Sequence, residues 1–249
     1  MEIRIWVRRT LDWSDPAHVE AKILPAFRSR YELWNDTFAL PYASFRARLK
    51  GIAEENLKRV AGASLGPWED LEPGRGLVIP IDDDDWLAPD LAAHVQNALE
   101  SQVRGRKLAG VYWAREVVGP PRRRRSLRKW LRRVPKRGRF TCYTNNYAVA
   151  PGVPDLEVIL RNHVRASEAF DAHPERFLRI PALLAIQNRN LASQTALGWR
   201  LPEIDEHYML ERYQSYRLFY ASWRIRRELR WAQPCIDAMA ELMDDLSPR

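Results

Sequence analysis

The chain has 249 residues, 46% of them hydrophobic and 29% charged, a composition typical of a soluble globular protein. No apolar stretch approaches the roughly 20 residues that a membrane-spanning helix needs, so no such helix is expected. The net charge of +8 lies in one segment, because residues 118–139 hold eleven Arg or Lys and no acid, whereas the remaining chain has 29 basic and 32 acidic residues, a net of −3.

Strands and helices alternate over the first two-thirds of the chain, as judged from apolar spacing and from the positions of Pro and Gly. Strands are predicted at residues 3–7, 77–81, 109–113 and 140–149, and helices at 17–31, 41–60, 89–102 and 155–170. We expect a break at Pro25 and a loop at 61–75, and the type of the apolar run at 176–188 stays open. This alternation predicts an α/β layered fold.

The C-terminal part, from about residue 205 to 247, is predicted to be helical, with Pro234 dividing it into two helices. Aromatic residues recur there near helical spacing and are expected to pack the final helices onto the sheet: Tyr213, Tyr216, Tyr220 and Trp223. No internal repeat and no linker marks a boundary, so residues 1–249 are expected to form one domain.

Four consecutive aspartates, Asp82–Asp85, directly follow the predicted strand at 77–81. Adjacent carboxylates repel one another unless positive charge offsets them, and a divalent cation with oxygen ligands commonly does so. The carboxyl end of a strand is also where open α/β sheets bind ligands. The run therefore predicts a site for a metal and a phosphate-bearing ligand, with a plain solvated turn as the alternative.

The tract LVIPIDDDDWLAPDL at 77–91 resembles the strand, Asp-x-Asp-Asp and helix element of GT-A glycosyltransferases. The resemblance implies that Asp82 contacts the nucleotide ribose or the metal and that Asp84 is a metal ligand. It implies that Asp85 is a catalytic acid near the donor sugar, with Asp83 between them in the same donor-binding run. The implied fold is a GT-A-like, Rossmann-like mixed sheet flanked by helices, with a helical C-terminal part.

More loosely, the chain is similar to the rhamnosyltransferase group of that class. The similarity lies in the first strand with Trp6, Arg8 and Arg9, and in the tracts at 37–48 and 180–193. In the last tract Asn190 matches that group's Asn, which implies a cofactor-binding role, but Gln187 stands where that group has His. Gln187 would then be a third metal ligand, and a poorer one than imidazole.

The activity that the resemblance implies is a Mn²⁺- or Mg²⁺-dependent transfer of a sugar from a nucleotide-diphosphate sugar to a glycan or lipid-linked acceptor. The metal would neutralise the departing diphosphate, and in an inverting enzyme a carboxylate would act as the base for the acceptor hydroxyl. We expect Asp155 to be that base, with Glu157, Glu168 and Asp171 as further candidates. An ordinary acid at a helix N-terminus is the alternative for Asp155.

Three further polar residues have two interpretations each. Asn145 and Asn146, at the end of a predicted strand, bind sugar hydroxyls or form a turn. His163 faces the site or serves as a structural hydrogen-bonding residue on its helix.

The basic segment at 118–139 contains apolar residues at i, i+3, i+4 and i+7: Leu127, Trp130, Leu131 and Val134. This spacing predicts an amphipathic helix that binds an anionic membrane surface, with a solvated loop as the alternative. Nucleic acid is a weaker option because no recognition motif accompanies the charge. The segment also supports a rival function, a non-catalytic α/β protein that binds a membrane or a protein partner.

Two cysteines, Cys142 and Cys235, lie far apart without metal-ligand spacing, which indicates free thiols in a reducing compartment. We therefore expect a cytoplasmic protein, peripheral at the inner membrane face if the basic segment binds lipid.

Overall fold

The computed structural model of the chain describes residues 1–8, 24–72, 74–101, 108–119, 131–134, 145–193 and 204–249. Most of the basic segment, the first part of the strand predicted at 140–149 and residues 17–23 of the first predicted helix lie outside these ranges, as does Cys142.

The described residues divide into two compact units. The first contains residues 1–8, 54–117 and 132–187 and holds nearly all of the sheet, and the second contains the remaining described residues and is largely helical.

The strands of the described chain belong to one mixed sheet, so the predicted α/β class is confirmed. Their bounds are β1 Glu2–Arg8, β2 Ser64–Leu65, β3 Gly76–Asp82, β4 Trp86–Leu87, β5 Gly110–Val118, β6 Leu131–Val134, β7 Tyr147–Val149 and β8 Phe177–Asn188. The order across the sheet is β2-β1-β3-β7-β5-β8-β4, and β6 pairs with β5.

Strand direction brings several strand ends together. β1 is parallel to β3, and β7 is antiparallel to both β3 and β5, so β5 runs in the same direction as β3. β8 shares this direction, because Ala109 N donates to Arg176 O at the start of the β5–β8 pair and Arg189 N donates to Val118 O at its finish. We call the end at which β1, β3, β5 and β8 finish the carboxyl end of the sheet.

Helices make up the rest of the described secondary structure. Their bounds are α1 Leu24–Thr37, α2 Tyr42–Lys58, α3 Leu91–Glu100, α4 Leu156–Arg161, α5 His163–Ala172, α6 Glu206–Ala221, α7 Trp223–Glu228 and α8 Gln233–Asp245. None of the helices in the described ranges is long and apolar enough to cross a membrane.

The core of the first unit lies between the sheet and the helices α4 and α5. β3 is buried from Gly76 to Ile81, as its unbroken apolar run predicts for a central strand. An aromatic cluster anchors the helices, with the rings of Phe170 and Phe177 stacked at 3.7 Å and Tyr147 meeting Phe170 edge-on at 5.7 Å.

The helix predicted at 155–170 is two helices. Asn162 has extended backbone angles, and its side chain accepts hydrogen bonds from the backbone N–H groups of Val164 and Arg165 at 3.0 and 3.4 Å. An Asn that caps a new helix in this way competes with continuation of the previous one. The break places His163 at the start of α5.

Aromatic side chains packed around Trp34 of α1 form a core of the second unit. Trp34 meets the rings of Phe38, Tyr42 and Phe45 at 5.0 to 5.2 Å, and Phe38 meets Tyr213 of α6 at 5.6 Å.

The predicted burial of the C-terminal aromatics is confirmed for three residues, since Tyr213, Tyr216 and Tyr220 are at most 3% exposed. It is wrong for Trp223, which is 70% exposed, because α6 ends at Ala221 and extended Ser222 starts a new helix with a different orientation.

Pro25 lies in the first turn of α1, and the part of the predicted helix before Leu24 lies outside the described ranges. Pro234 and the basic segment account for two differences. Pro234 lies in the first turn of α8, after the chain has already broken at Leu229. The amphipathic helix predicted over 126–134 is wrong in its last part, because Leu131–Val134 forms a strand that pairs with β5. The undecided run at 176–188 is β8.

Candidate functional site

The carboxyl end of the sheet gathers polar residues from five strands of the first unit. They are Arg8 at the end of β1, Asp82 at the end of β3, Arg115 and Glu116 near the end of β5, Asn145 and Asn146 just before antiparallel β7, and Gln187 near the end of β8. Residues far apart in the sequence therefore meet through strand pairing alone.

Arg8 and Asp82 form the best-defined contact of this site. They are register partners in the β1–β3 pair, and the Arg8 Nη2 and Nε atoms donate to Asp82 Oδ1 at 2.8 and 3.2 Å. Arg8 Nη1 donates to the carbonyl oxygens of Leu160 and Arg161 at 3.3 and 2.8 Å. Backbone carbonyls at a helix C-terminus favour a cation, so these contacts fix the guanidinium, whose side chain is only 7% exposed.

A second arginine engages Gln187. Arg115 Nη1 donates to Gln187 Oε1, and Arg115 is 1% exposed. The amide oxygen predicted to bind a metal therefore already accepts a hydrogen bond from a guanidinium.

The aspartate run turns the chain back into the sheet. Asp85 N donates to Asp82 O at 3.3 Å, and the chain then enters β4, where Trp86 pairs with Ile186 of β8. The Asn56 side chain bonds both the N–H and the C=O of Leu87, at 2.8 and 3.0 Å, and so holds β4 in place.

The four aspartates differ in exposure because of this turn. Asp85 is buried, at 2% exposed, whereas Asp82, Asp83 and Asp84 are half-buried at the surface of the turn. Only these last three carboxylates are accessible to a ligand.

His163 lies within the electrostatic field of the same residues. Its pKa is lowered first by burial and next by the positive charge of Arg8, while Asp82 raises it and Arg115 lowers it further. The charges of Arg8, Asp82 and Arg115 therefore act on His163, which is half-buried at the start of α5.

Asn145 and Asn146 are buried, at 0% and 4% exposed, and tie strands together. Asn145 Nδ2 donates to Ile186 O at 2.8 Å, and Trp113 donates to both residues: its Nε1 to Asn145 O and its backbone N to Asn146 O, each at 3.0 Å. They support the end of the sheet and are not open to sugar hydroxyls.

Two of the three predicted metal ligands already accept hydrogen bonds from arginines. Within the described ranges no three His, Cys, Asp or Glu side chains come together as a metal-binding group. Asp82 Oδ1 and Gln187 Oε1 are each hydrogen-bonded to an arginine. Two unit charges 4 Å apart interact by about 4 kcal/mol at an effective dielectric constant of about 20, and the repulsion between a guanidinium and a divalent ion doubles that value.

The expected base, Asp155, lies away from this end of the sheet. It follows the carboxyl end of antiparallel β7 and lines a cavity of about 490 Å³ together with Ala109 and Phe177, at the starts of β5 and β8. Asp155 adopts a left-handed conformation with φ of 57°, unique among the described non-glycine residues. The structure therefore separates Asp155 from Asp82.

The remaining predicted residues also lie elsewhere. Glu168 lines the same cavity as Asp155 and pairs with Arg165 at 2.7 Å, whereas Glu157 is exposed and pairs with Arg161 at 2.9 Å. Asn190 belongs to the second unit, where it is buried and its Nδ2 donates to Asn188 O at 3.2 Å. Asp171 is exposed on α5.

Two buried residues of the site went unpredicted. Arg115 and Glu116 are consecutive charges in a strand whose predicted limits stopped at Trp113, and each is at most 2% exposed. A charged pair flanked by apolar residues, in Trp-Ala-Arg-Glu-Val-Val, was the available signal, because buried charges need specific partners.

Comparison with protein-family models, with curated proteins and with solved structures gives no match. The fold and the site together define an α/β protein whose sheet carries charged residues of both signs at the carboxyl ends of its parallel strands.

Proposed function

We propose that the protein is a glycosyltransferase that binds a nucleotide-diphosphate sugar at the carboxyl end of its sheet and transfers the sugar to a glycan or a lipid-linked acceptor. The observation that carries this proposal is the position of the aspartate turn. It follows a buried central strand, and its first carboxylate is held by Arg8 from the neighbouring parallel strand. Ligands of open α/β sheets bind outside such strand ends.

The accessible groups suit the polar parts of a nucleotide sugar. The half-buried carboxylates of Asp82, Asp83 and Asp84 are acceptors for ribose or sugar hydroxyls. Arg8, which pairs with Asp82, and Arg115, near the end of β5, are buried positive charges at the same end of the sheet, of the sign that favours a diphosphate leaving group.

The reaction needs a carboxylate within hydrogen-bond reach of the acceptor hydroxyl. Asp83 and Asp84 are half-buried carboxylates at the surface of the turn, and we assign the base to one of them in place of Asp155.

Nucleotide binding tests this function directly. Melting temperatures are measured with UDP, GDP and dTDP, each with Mn²⁺ and with EDTA. A nucleotide at a hundredfold excess over its Kd stabilises the folded state by about 2.7 kcal/mol, a shift of about 5–10 °C for a chain of this size. Asp84→Ala should reduce the shift at a fixed nucleotide concentration.

Asp90→Ala is the matched control, because Asp90 is an exposed acid just outside the turn, with a side chain 68% exposed. It should respond to the nucleotide as the wild type does. Absence of a shift with all three nucleotides contradicts the proposal and favours the rival, a non-catalytic α/β protein that binds a membrane or a protein partner.

A further inference from the structure

We propose that the cation of this site is built into the chain: Arg8 holds Asp82 in place of a divalent metal, and nucleotide binding at the carboxyl end of the sheet needs no metal ion. This inference rests on the proposed function and concerns the same site.

The register of the sheet imposes the Arg8–Asp82 contact. Arg8 is the last residue of β1 and the direct partner of Asp82 in β3, so the two side chains leave neighbouring strand ends together. Two guanidinium nitrogens converge on one carboxylate oxygen, and the third nitrogen is held by two backbone carbonyls. A metal ion at that oxygen would have to displace a fixed group that keeps its charge at every accessible pH.

An arginine also takes the place of the metal at Gln187, the second predicted ligand. Gln187 Oε1 accepts a hydrogen bond from Arg115, which is buried in β5. Asp82 and Gln187 are thus each paired with an arginine, from two different strands. A divalent ion bound at either oxygen would meet the charge of the arginine that already holds it.

The local potential supports this assignment. At His163 the charges of Arg8 and Arg115 both lower the pKa against the opposing effect of Asp82, with Arg8 the largest of the three. At the position of His163 the charge of Arg8 thus outweighs that of Asp82, and positive charge of this kind favours an anionic diphosphate.

Manganese binding by the protein alone is the first test, measured by the electron paramagnetic resonance signal of free Mn²⁺. The wild type and Asp82→Asn should bind Mn²⁺ equally. Arg8→Met, which keeps the apolar stem but removes the charge, should bind Mn²⁺ more tightly by about tenfold or more. Arg8→Lys, which keeps the charge, should not show this gain, and adding Asp82→Asn to Arg8→Met should abolish it.

Two outcomes overturn the proposal. One is Mn²⁺ binding by the wild type that Asp82→Asn removes. The other is a folded Arg8→Met protein, as judged by its cooperative melting, without any gain in Mn²⁺ affinity. If Arg8→Met does not fold, the comparison of the wild type with Asp82→Asn still decides.

The second test separates this inference from the proposed function. The melting shift caused by the active nucleotide should be the same in EDTA as in Mn²⁺. A shift seen only with Mn²⁺ overturns the metal-free site and leaves the glycosyltransferase proposal standing. No shift in either buffer contradicts the proposed function itself and, with it, nucleotide binding by any mechanism.

Discussion

His163 shows how one residue reports on the charges around it. Its folded-state pKa lies below the ordinary value of 6.5. Between those two values the unfolded chain binds more protons than the folded chain, so stability rises with pH in that window and is fully present above about 6.5. As pH falls below that value, protonation of the unfolded state weakens the fold.

The prediction is that the wild type loses more unfolding free energy between pH 7 and pH 5 than His163→Gln does, measured by urea denaturation. His207→Gln is the control at an exposed position, with a side chain 81% exposed. Equal losses in the wild type and His163→Gln would show that neither burial nor the charge of Arg8 lowers the pKa of this imidazole.

The exposure of two aromatic residues of the second unit predicts how much each contributes to stability. Tyr220 is fully buried, and its hydroxyl donates to Asn188 Oδ1 at 2.7 Å, so Tyr220→Phe should cost about 1–2 kcal/mol. Trp223→Ala should change stability by less than about 0.5 kcal/mol, because the ring is 70% exposed. Chemical denaturation of both variants checks the contrast, and a larger cost for Trp223→Ala would mean that its ring is packed.

At the scale of elements, sequence patterns predicted those strands whose own residues determine their structure. The β-branched run of β3 and the first strand were located from their residues alone. The break within the helix predicted at 155–170 was not located, because an Asn can lie inside a helix or cap the start of a new one. Only the structure shows that the Asn162 side chain caps α5. The burial predicted for Trp223 was wrong for a similar reason, because extended Ser222 ends α6 and a new helix begins at Trp223.

Replacing each of two glycines by alanine should change the stability of the fold in opposite directions. A Cβ on Gly110 would lie 2.3 Å from Ala148 O in the neighbouring strand, so Gly110→Ala must separate β5 from β7 and should cost more than about 3 kcal/mol. Gly51 lies inside α2 with no atom within 4 Å of such a Cβ, and Gly51→Ala should add about 0.5–1 kcal/mol.

Thermal denaturation distinguishes the two substitutions. The Gly51 variant controls for the general effect of adding a methyl group to the chain. A Gly110→Ala protein as stable as the wild type would show that β5 and β7 do not pair as closely as the structure has them.

At the scale of the whole molecule, half of the candidate site was visible in the sequence. The aspartate run could be recognised as a candidate site because it directly follows a predicted strand. Its partner Arg8 comes from another strand, 74 residues away, and Arg115 engages Gln187 from a third strand, so the register that brings these residues to one end depends on the sheet. The sequence therefore showed the need for positive charge at the run but not Arg8, which supplies such a charge to Asp82.

The uneven charge of the chain gives the last prediction. Residues 118–139 carry eleven basic residues against a remainder of net −3, and each basic residue near an anionic bilayer contributes about 1 kcal/mol of attraction. The chain should cosediment with vesicles containing anionic lipid, should not do so with neutral vesicles, and should be released as salt shortens the screening length.

Replacing the eight basic residues within 122–133 by Gln should abolish this binding. Arg227→Gln with Arg230→Gln is the control, because both arginines are exposed on the second unit and lie outside the basic segment. Since these two changes leave the segment intact, vesicle binding should fall only slightly. Equal binding by the eight-residue variant and the wild type would place the membrane-binding charge elsewhere, because a segment that dominates the electrostatic attraction cannot lose eight charges without effect.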